Sequence, residues 1–341
     1  MAAHKRVTIA DIARFAGVSP GAVSFALNDR PGVSQETRER ILAIAAEHHW
    51  QPSRAARALG GSRLGVIGLV VERPARTLGT EAFFTDLISG IQSGLAAANG
   101  SLQLRMVTDT AGEIATYRAW AGSHQVDGVI VIDPRDDDPR FAVLDEVGLP
   151  AVVLGSAPSA PGEHAAVWLD DRAAAHTLFD YIAALGHRRI AYVSGPESFQ
   201  PMRLRAEVLT GLAGRGVAGI VEATDFSLQA AAETTRRLLS SAERPTAVVY
   251  DNDVMAVSGL RVTQEMGVAV PGELSIASFD DSVMTELMRP SITSLTRDTV
   301  GVGELAAGLL ITQLDSPEPV PSIPGPAPRL TARESTAPPH A

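Results

Sequence analysis

The chain has 341 residues, 45% of them hydrophobic, with no cysteine and a formal net charge of −10. That length suits two or three domains with ample core material, and the lack of cysteine excludes disulfides and thiolate metal sites. The opening residues have no signal-peptide run and no apolar stretch reaches the roughly 18 residues of a membrane span, so the expected setting is the cytoplasm, with no membrane partner.

The charge is unevenly placed. Residues 1–63 hold nine basic and five acidic residues, a balance of +4, while the remainder holds 20 basic and 34 acidic residues, a balance of −14. Only the first segment attracts phosphate.

In chain order, Thr8 reads as an N-cap with Asp11 in a capping-box position, followed by Ile9, Ile12 and Ala13 on one helical face. Ala16-Gly17-Val18 breaks that helix, and Ser19 with Pro20 opens the next. In that second helix Val23 and Leu27 point inward. Pro31-Gly32 marks a loop, and Ser34 caps a third helix with an expected apolar stripe of Ile41, Leu42, Ala45 and Ala46. Two short helices around a glycine turn, backed by a third, predict an all-α helix-turn-helix head over residues 1–50. The alternative is a three-helix dimerisation head with a solvated face. As a DNA reader, the head would place Thr8, Ser19, Ser24 and Asn28 against phosphates, with Thr37 and Arg38 from the third helix. Base contact would fall to Pro20, Gly21 and Phe25, which offer no side-chain hydrogen bond, so a thymine methyl and DNA shape are the expected targets.

Residues 51–63 form a candidate hinge: Pro52 ends the third helix, and Ser53 to Leu59 is too short to be a stable helix alone before Gly60-Gly61. It is expected to fold against a surface; the alternative is a solvated linker. From residue 64 to 336 apolar runs alternate with helical patterns. Expected strands are Leu64–Val71, Leu102–Val107, Val129–Ile132, Ala151–Leu154, Ile190–Val193, Ile220–Glu222, Ala247–Tyr250 and Ser275–Phe279. Helices are expected at Phe83–Ala98, Arg172–Leu185, Leu228–Leu239 and Val254–Met266. Two consecutive sets of about four strands predict an α/β body of two doubly wound parallel-sheet subdomains with a cleft at the strand ends. Pro317–Pro328 reads as a linker and 337–341 as a frayed tail.

The stretches Thr8–Ala13, Ala16–Ser19, Val23-Ser24, Leu27-Asn28, Val33-Ser34 and Thr37-Arg38, with Val126–Ile130, Gly186–Ala191, Asn252–Ala256, Ser278–Asp281 and Arg333–Thr336 in the body, resemble the lactose-repressor (LacI/GalR) family. The resemblance covers nearly the whole chain. It implies a homodimeric repressor on a pseudo-palindromic double-stranded operator, with a periplasmic-binding-protein type I-like body crossed three times by the chain. It implies that Leu59 wedges into the minor groove, with Ala56 in close contact and Ser53 and Arg54 flanking. It also implies a small, carbohydrate-like effector in the cleft, held by Asp280, Asn252, Arg205 and the aromatics Phe83 and Phe84. Arg203 is the alternative basic partner, and Trp168 and Phe199 are further stacking candidates. Each has a structural alternative: a turn cap for Asp280, a solvated helix residue for Arg205, core for Phe83. Phe25 and the loop Glu72–Thr80 depart from the family pattern. His187 reads as ordering the start of a strand, and the Asp136–Asp138 and Asp251–Asp253 runs as loops and caps rather than a metal site. No cofactor is expected, and no nucleophile elbow or Walker sequence argues for an enzyme.

Overall fold

In a computed structural model of the chain, residues 7–27, 30–50, 63–74, 79–156 and 164–340 are described. They fall into two compact units, 1–64 and 65–341. Of the sequence-derived site residues, Asn28, Ser53, Arg54, Ala56 and Leu59 lie outside the described residues. Among the described residues no helix is long and apolar enough to cross a membrane.

The first unit holds α1 (Ile9–Ala16), α2 (Pro20–Leu27) and α3 (Gln35–Glu47). Thr8 and Asp11 form the capping box, and Gly17 closes α1 at φ 66°, where a side chain would be strained. Ser19 Oγ accepts from the Ala22 amide at 3.2 Å, fixing the start of α2. Ile12, Ala13, Ala16, Val23, Ala26 and Ile41 form the core of this unit. The expected stripe of α3 is corrected. Ile41 and Ala45 face inward, whereas Leu42 and Ala46 are exposed, because three short helices enclose only a narrow seam.

The second unit has two six-stranded sheets. The first lobe contains β1 (Val66–Glu72), α4 (Ala82–Ala96), β2 (Ser101–Val107), α5 (Thr110–Gly122), β3 (Gly128–Val131), α6 (Pro139–Val147), β4 (Ala151–Gly155) and β5 (Ala165–Trp168). The chain then enters the second lobe with α7 (Asp171–Ala184), β6 (Arg189–Ser194), α8 (Gln200–Gly211), β7 (Ala218–Ala223), α9 (Leu228–Leu239), β8 (Ala247–Tyr250), α10 (Asp253–Glu265), β9 (Ser275–Ser278), α11 (Val283–Leu287) and β10 (Thr293–Thr296). It returns with α12 (Thr299–Asp315) and β11 (Ile323–Pro324), then ends in the second lobe at β12 (Arg329–Thr331). The strand orders are β11-β5-β4-β3-β1-β2 and β12-β10-β9-β8-β6-β7, parallel except for β12 against β10. Both sheets are helix-covered, so their central strands are apolar on both faces.

The expected helices agree with the structure to within two residues at each end. The sheets are larger than expected, because β5, β10 and β11 were not anticipated. β10 reads Thr-Ser-Leu-Thr and has no apolar run; it is a strand because it pairs with β9 and β12. The stretch Pro317–Pro328 is likewise corrected, since Ile323 pairs with Val167 at the edge of the first sheet. The tail is not frayed at Ala337: its amide donates to Ser275 Oγ at 3.1 Å, and its carbonyl lies 3.0 Å from His187 Nε2. His187 Nδ1 meets Thr246 Oγ1 at 2.9 Å, so this ring ties the start of β6 to the chain end.

The returning helix α12 packs hard against α4. A Cβ on Gly90 would stand 2.0 Å from the Val300 carbonyl oxygen, and one on Gly303 2.5 Å from the Leu87 oxygen. Gly90 of α4 and Gly303 of α12 thus permit backbone contact between helices that are far apart in sequence.

Candidate functional site

Two surfaces gather the sequence-derived residues. On the head, Thr8, Ser19, Pro20, Gly21 and Phe25 are exposed, and Ser24, Thr37 and Arg38 are half-buried. Several polar groups also serve the helices themselves. The Thr8 hydroxyl donates to Asp11 Oδ2 at 2.7 Å, and Thr37 Oγ1 accepts from Ser34 Oγ at 2.9 Å. Arg38 Nη2 donates to the Arg30 carbonyl at 2.8 Å and so clamps the chain just past α2. Phe25 leans on the following loop, where a Cβ on Gly32 would meet its ring at 3.2 Å. The exposed start of α2 therefore consists of Pro20 and Gly21: the glycine offers only its backbone amide, and the proline, which has no N–H, offers only its apolar ring.

On the body, the carboxyl ends of the parallel strands converge on a cleft between the lobes, as expected for doubly wound sheets. Its lining includes Arg73, Glu81, Phe83, Phe84, Asp133, Asp171, Arg205, Asp251, Asn252, Asp280 and Arg297, around roughly 770 Å³ that includes space open to solvent. All five sequence-derived effector residues lie here together.

They play unequal parts. Asn252 caps α10 through Oδ1, which accepts from the Met255 amide at 2.8 Å, and its Nδ2 is buried without a partner. The Asp280 carboxyl is half-buried, 3.9 Å from Arg297 Nε. Burial, opposed by Arg297 and Arg205, pushes its pKa up to about 7. Phe83 is half-buried at the cleft, meeting Phe84 edge-on at 5.3 Å, whereas Phe84 is 1% exposed and belongs to the core of the first lobe.

Arg205 is no solvated helix residue. Nη2 donates to Asp171 Oδ1 at 2.6 Å and Nη1 to Asp251 Oδ1 at 2.8 Å, with the guanidinium 4.6 Å from the Phe279 ring centre. Burial acts to raise the Asp171 pKa, but Arg205 and Arg297 outweigh it, and the group stays below the usual carboxylate range. The arginine is thus the hub of a buried ion cluster that also faces the cleft.

The alternative candidates separate. Arg203 points to the other lobe and donates through Nη2 to Asp136 at 3.0 Å. Phe199 is buried under Arg73 and Arg135, whose guanidinium carbons lie 5.0 and 4.8 Å from its ring centre. Trp168 is not among the lining residues. Sequence reasoning missed Arg73, Glu81, Asp171, Asp251 and Arg297. Arg73, Asp171, Asp251 and Arg297 each stand just beyond a strand end or at a crossover, a position that would have marked them, whereas Glu81 lies at the far end of the loop after β1. Among the described residues no cluster of His, Cys, Asp and Glu is suited to a metal ion.

A three-helix DNA-reading head on a two-lobed periplasmic-binding-protein-like body defines a class, the DNA-binding transcriptional regulators. The comparisons are specific. Residues 8–53 match the bacterial regulatory proteins of the lacI family, and residues 179–336 match a periplasmic binding protein-like domain. The HTH-type transcriptional regulator CelR of Thermobifida fusca is 30% identical over 331 residues, 94% of this chain and 96% of the relative. The HTH-type transcriptional repressor PurR of Escherichia coli O139:H28 is 28% identical over 346 residues, 97% of each chain. Among solved structures, a CelR–cellobiose complex matches with TM-score 0.72 and 28% identity, covering 97% of this chain and all of that one. A lac repressor dimer bound to operator and the anti-inducer ONPF matches with TM-score 0.81 and 26% identity over 98% of this chain and all of that one. The chain belongs to the LacI family and is a DNA-binding transcriptional regulator, in a family that is not enzymatic.

Proposed function

We propose that the protein is a homodimeric repressor whose affinity for a pseudo-palindromic operator is set by a small polyhydroxylated effector in the inter-lobe cleft. In this reading residues 1–50 contact the major groove through Pro20, Gly21 and Phe25, with Thr8, Ser19, Ser24, Asn28, Thr37 and Arg38 on the backbone. Residues 51–63 are the hinge, with Leu59 as the wedge between base pairs, Ala56 beside it, and Ser53 and Arg54 flanking. Residues 64–336 are the effector-binding and dimerisation body. The observation that carries the reading is an unused buried donor, Asn252 Nδ2, on a residue that lines the same cleft as Asp280, between lobes joined by three crossovers. Unpaired buried polar groups are costly, and a ligand hydroxyl that both donates and accepts would satisfy both. The cellobiose-bound CelR relative and the operator-bound lac repressor dimer support the same assignment.

A ligand that changes the lobe angle changes the spacing of two hinges in a dimer and so the cost of ordering them on bent DNA. A coupling of about 1–3 kcal/mol would shift operator affinity about 5- to 150-fold. Genomic footprinting to find the operator, then gel-shift titration with and without saccharides, tests the proposal. No preference for any palindromic site over random DNA, in any effector background, would sink it.

A further inference from the structure

We propose that Arg73 and Glu81, at either end of the loop after β1, are the first lobe's polar effector contacts and select an uncharged, hydroxyl-rich ligand over its phosphorylated counterpart. This rests on the cleft being the effector site.

Arg73 is 7% exposed and lines the cleft. Nη1 donates to the Glu72 carbonyl at 2.8 Å, and Nη2 faces Asp133 at 2.9 Å. Phe226 of the second lobe holds the guanidinium 4.3 Å from its ring centre. Its Nε is buried and unpartnered. The guanidinium is therefore fixed on every side except the Nε–H, which is left for a ligand.

Glu81 is 8% exposed and occupies the N-cap of α4, yet its side chain makes no cap hydrogen bond. An N-cap side chain normally spends its oxygen on the first-turn amides. This carboxyl instead lines the cleft, near Arg73 and on the same side of electrostatic influence as Asp280 and Asp133. Burial raises its pKa to about 8, so near neutral pH it holds a proton that it can donate. Together with Asn252 and Asp280, the two lobes then offer donors and acceptors in mixed order, the pattern suited to hydroxyls.

Charge excludes the phosphorylated version. Each guanidinium lining the cleft already faces carboxylate: Arg73 has Asp133, Arg205 has Asp171 and Asp251, and Arg297 lies 3.5 Å from Asp171 and 3.9 Å from Asp280. With the three guanidiniums balanced by the carboxylates of Asp133, Asp171 and Asp251, the cleft has no net positive charge to offset a phosphate, and like charges in a desolvated site repel strongly.

The test uses the full chain in thermal-shift and titration-calorimetry assays with glucose, galactose, cellobiose, maltose, trehalose and glucose 6-phosphate. At least one neutral saccharide should bind, and glucose 6-phosphate should not. For the saccharide that binds, Glu81→Met should weaken affinity tenfold or more without lowering the melting temperature of the free protein, since it removes a buried uncapped carboxyl. Arg73→Lys, which keeps the charge opposite Asp133 but lacks the Nε–H, should weaken it similarly. Should both variants bind within twofold of the parent while Asp280→Asn does not bind, the inference is overturned and the cleft assignment stands. Preferential binding of glucose 6-phosphate overturns the inference too. If no saccharide binds, or Asp280→Asn binds normally, the cleft assignment itself fails and takes the inference with it.

Discussion

Arg203 of the second lobe donates through Nη2 to Asp136 Oδ1 of the first at 3.0 Å, and across the same seam the Gln200 amide, three residues before Arg203, donates at 2.8 Å to the carbonyl of Pro134, two residues before Asp136. The loop after β3 is thereby joined to the start of α8. On the first-lobe side that loop is anchored by Arg140, 1% exposed, which donates to the Ile132 and Asp133 carbonyls at 3.0 and 2.9 Å and pairs with Glu113 and Asp138. A rigid mount thus carries one half of an exposed latch.

Asp136→Asn should weaken that latch only modestly, because both side chains are well exposed and such pairs are worth about 0–1 kcal/mol. The expected outcome is a change in effector affinity of no more than about fivefold, with basal operator affinity altered by a similar factor. Calorimetry and gel-shift titration on the same preparation measure both; a larger change would show that the pair governs the lobe equilibrium.

Arg205→Ala should be a stability mutant before it is a binding mutant. It strands Asp171 and Asp251 in a buried site, and breaking a buried pair on one side costs about 3–5 kcal/mol. A large drop in melting temperature is expected by calorimetry. A variant as stable as the parent would show that the cluster is not held by this arginine.

Stability of the ligand-free protein should carry a component that falls as pH rises. Burial raises the pKa of Glu81 to about 8 and that of Asp280 to about 7, from their ordinary values of 4.5 and 3.8. The folded chain therefore binds more protons than the unfolded chain between those limits, so this stabilisation is full below about pH 4 and is lost as pH climbs through 7 to 8. Denaturant titrations from pH 5 to pH 8 on the parent and on Glu81→Met should show a flatter pH profile in the variant. Identical slopes would place the Glu81 carboxyl in water.

Leu59→Ala should lower operator affinity by at least about tenfold, as expected for loss of an intercalating wedge, while saccharide binding to the body is unchanged. Equal gel-shift midpoints for the two proteins would remove the wedge. Asp280→Ala should do the reverse, abolishing the effector response and leaving basal operator binding intact.

The head was the most legible part of the sequence, since caps, a glycine turn and a helical apolar period all act within a few residues of one another. Thr8, Asp11, Gly17, Ser19 and Ser34 each do locally what their residue types dictate. The helices and central strands of the body were legible for the same reason. β10 and β11 were not, because polar or two-residue strands are defined by their neighbours rather than by their own pattern. Asp280 and Asn252 were found by motif, whereas Glu81 was hidden at the far end of a loop with no period to betray it.

Composition, periodicity and capping chemistry thus determined by themselves that a small three-helix head precedes two parallel α/β lobes, and the motifs shared with the LacI family marked that head as a DNA reader. Only the tertiary structure decided which charges meet: that Arg205 is shared by Asp171 and Asp251, that Glu81 leaves its helix uncapped, and that Arg203 reaches the other lobe. The physical reason is range. Secondary structure is specified by interactions over a few residues, while a cleft assembled from strand ends joins side chains from 34 to 126 positions apart, and their pairing depends on where the folded chain brings them.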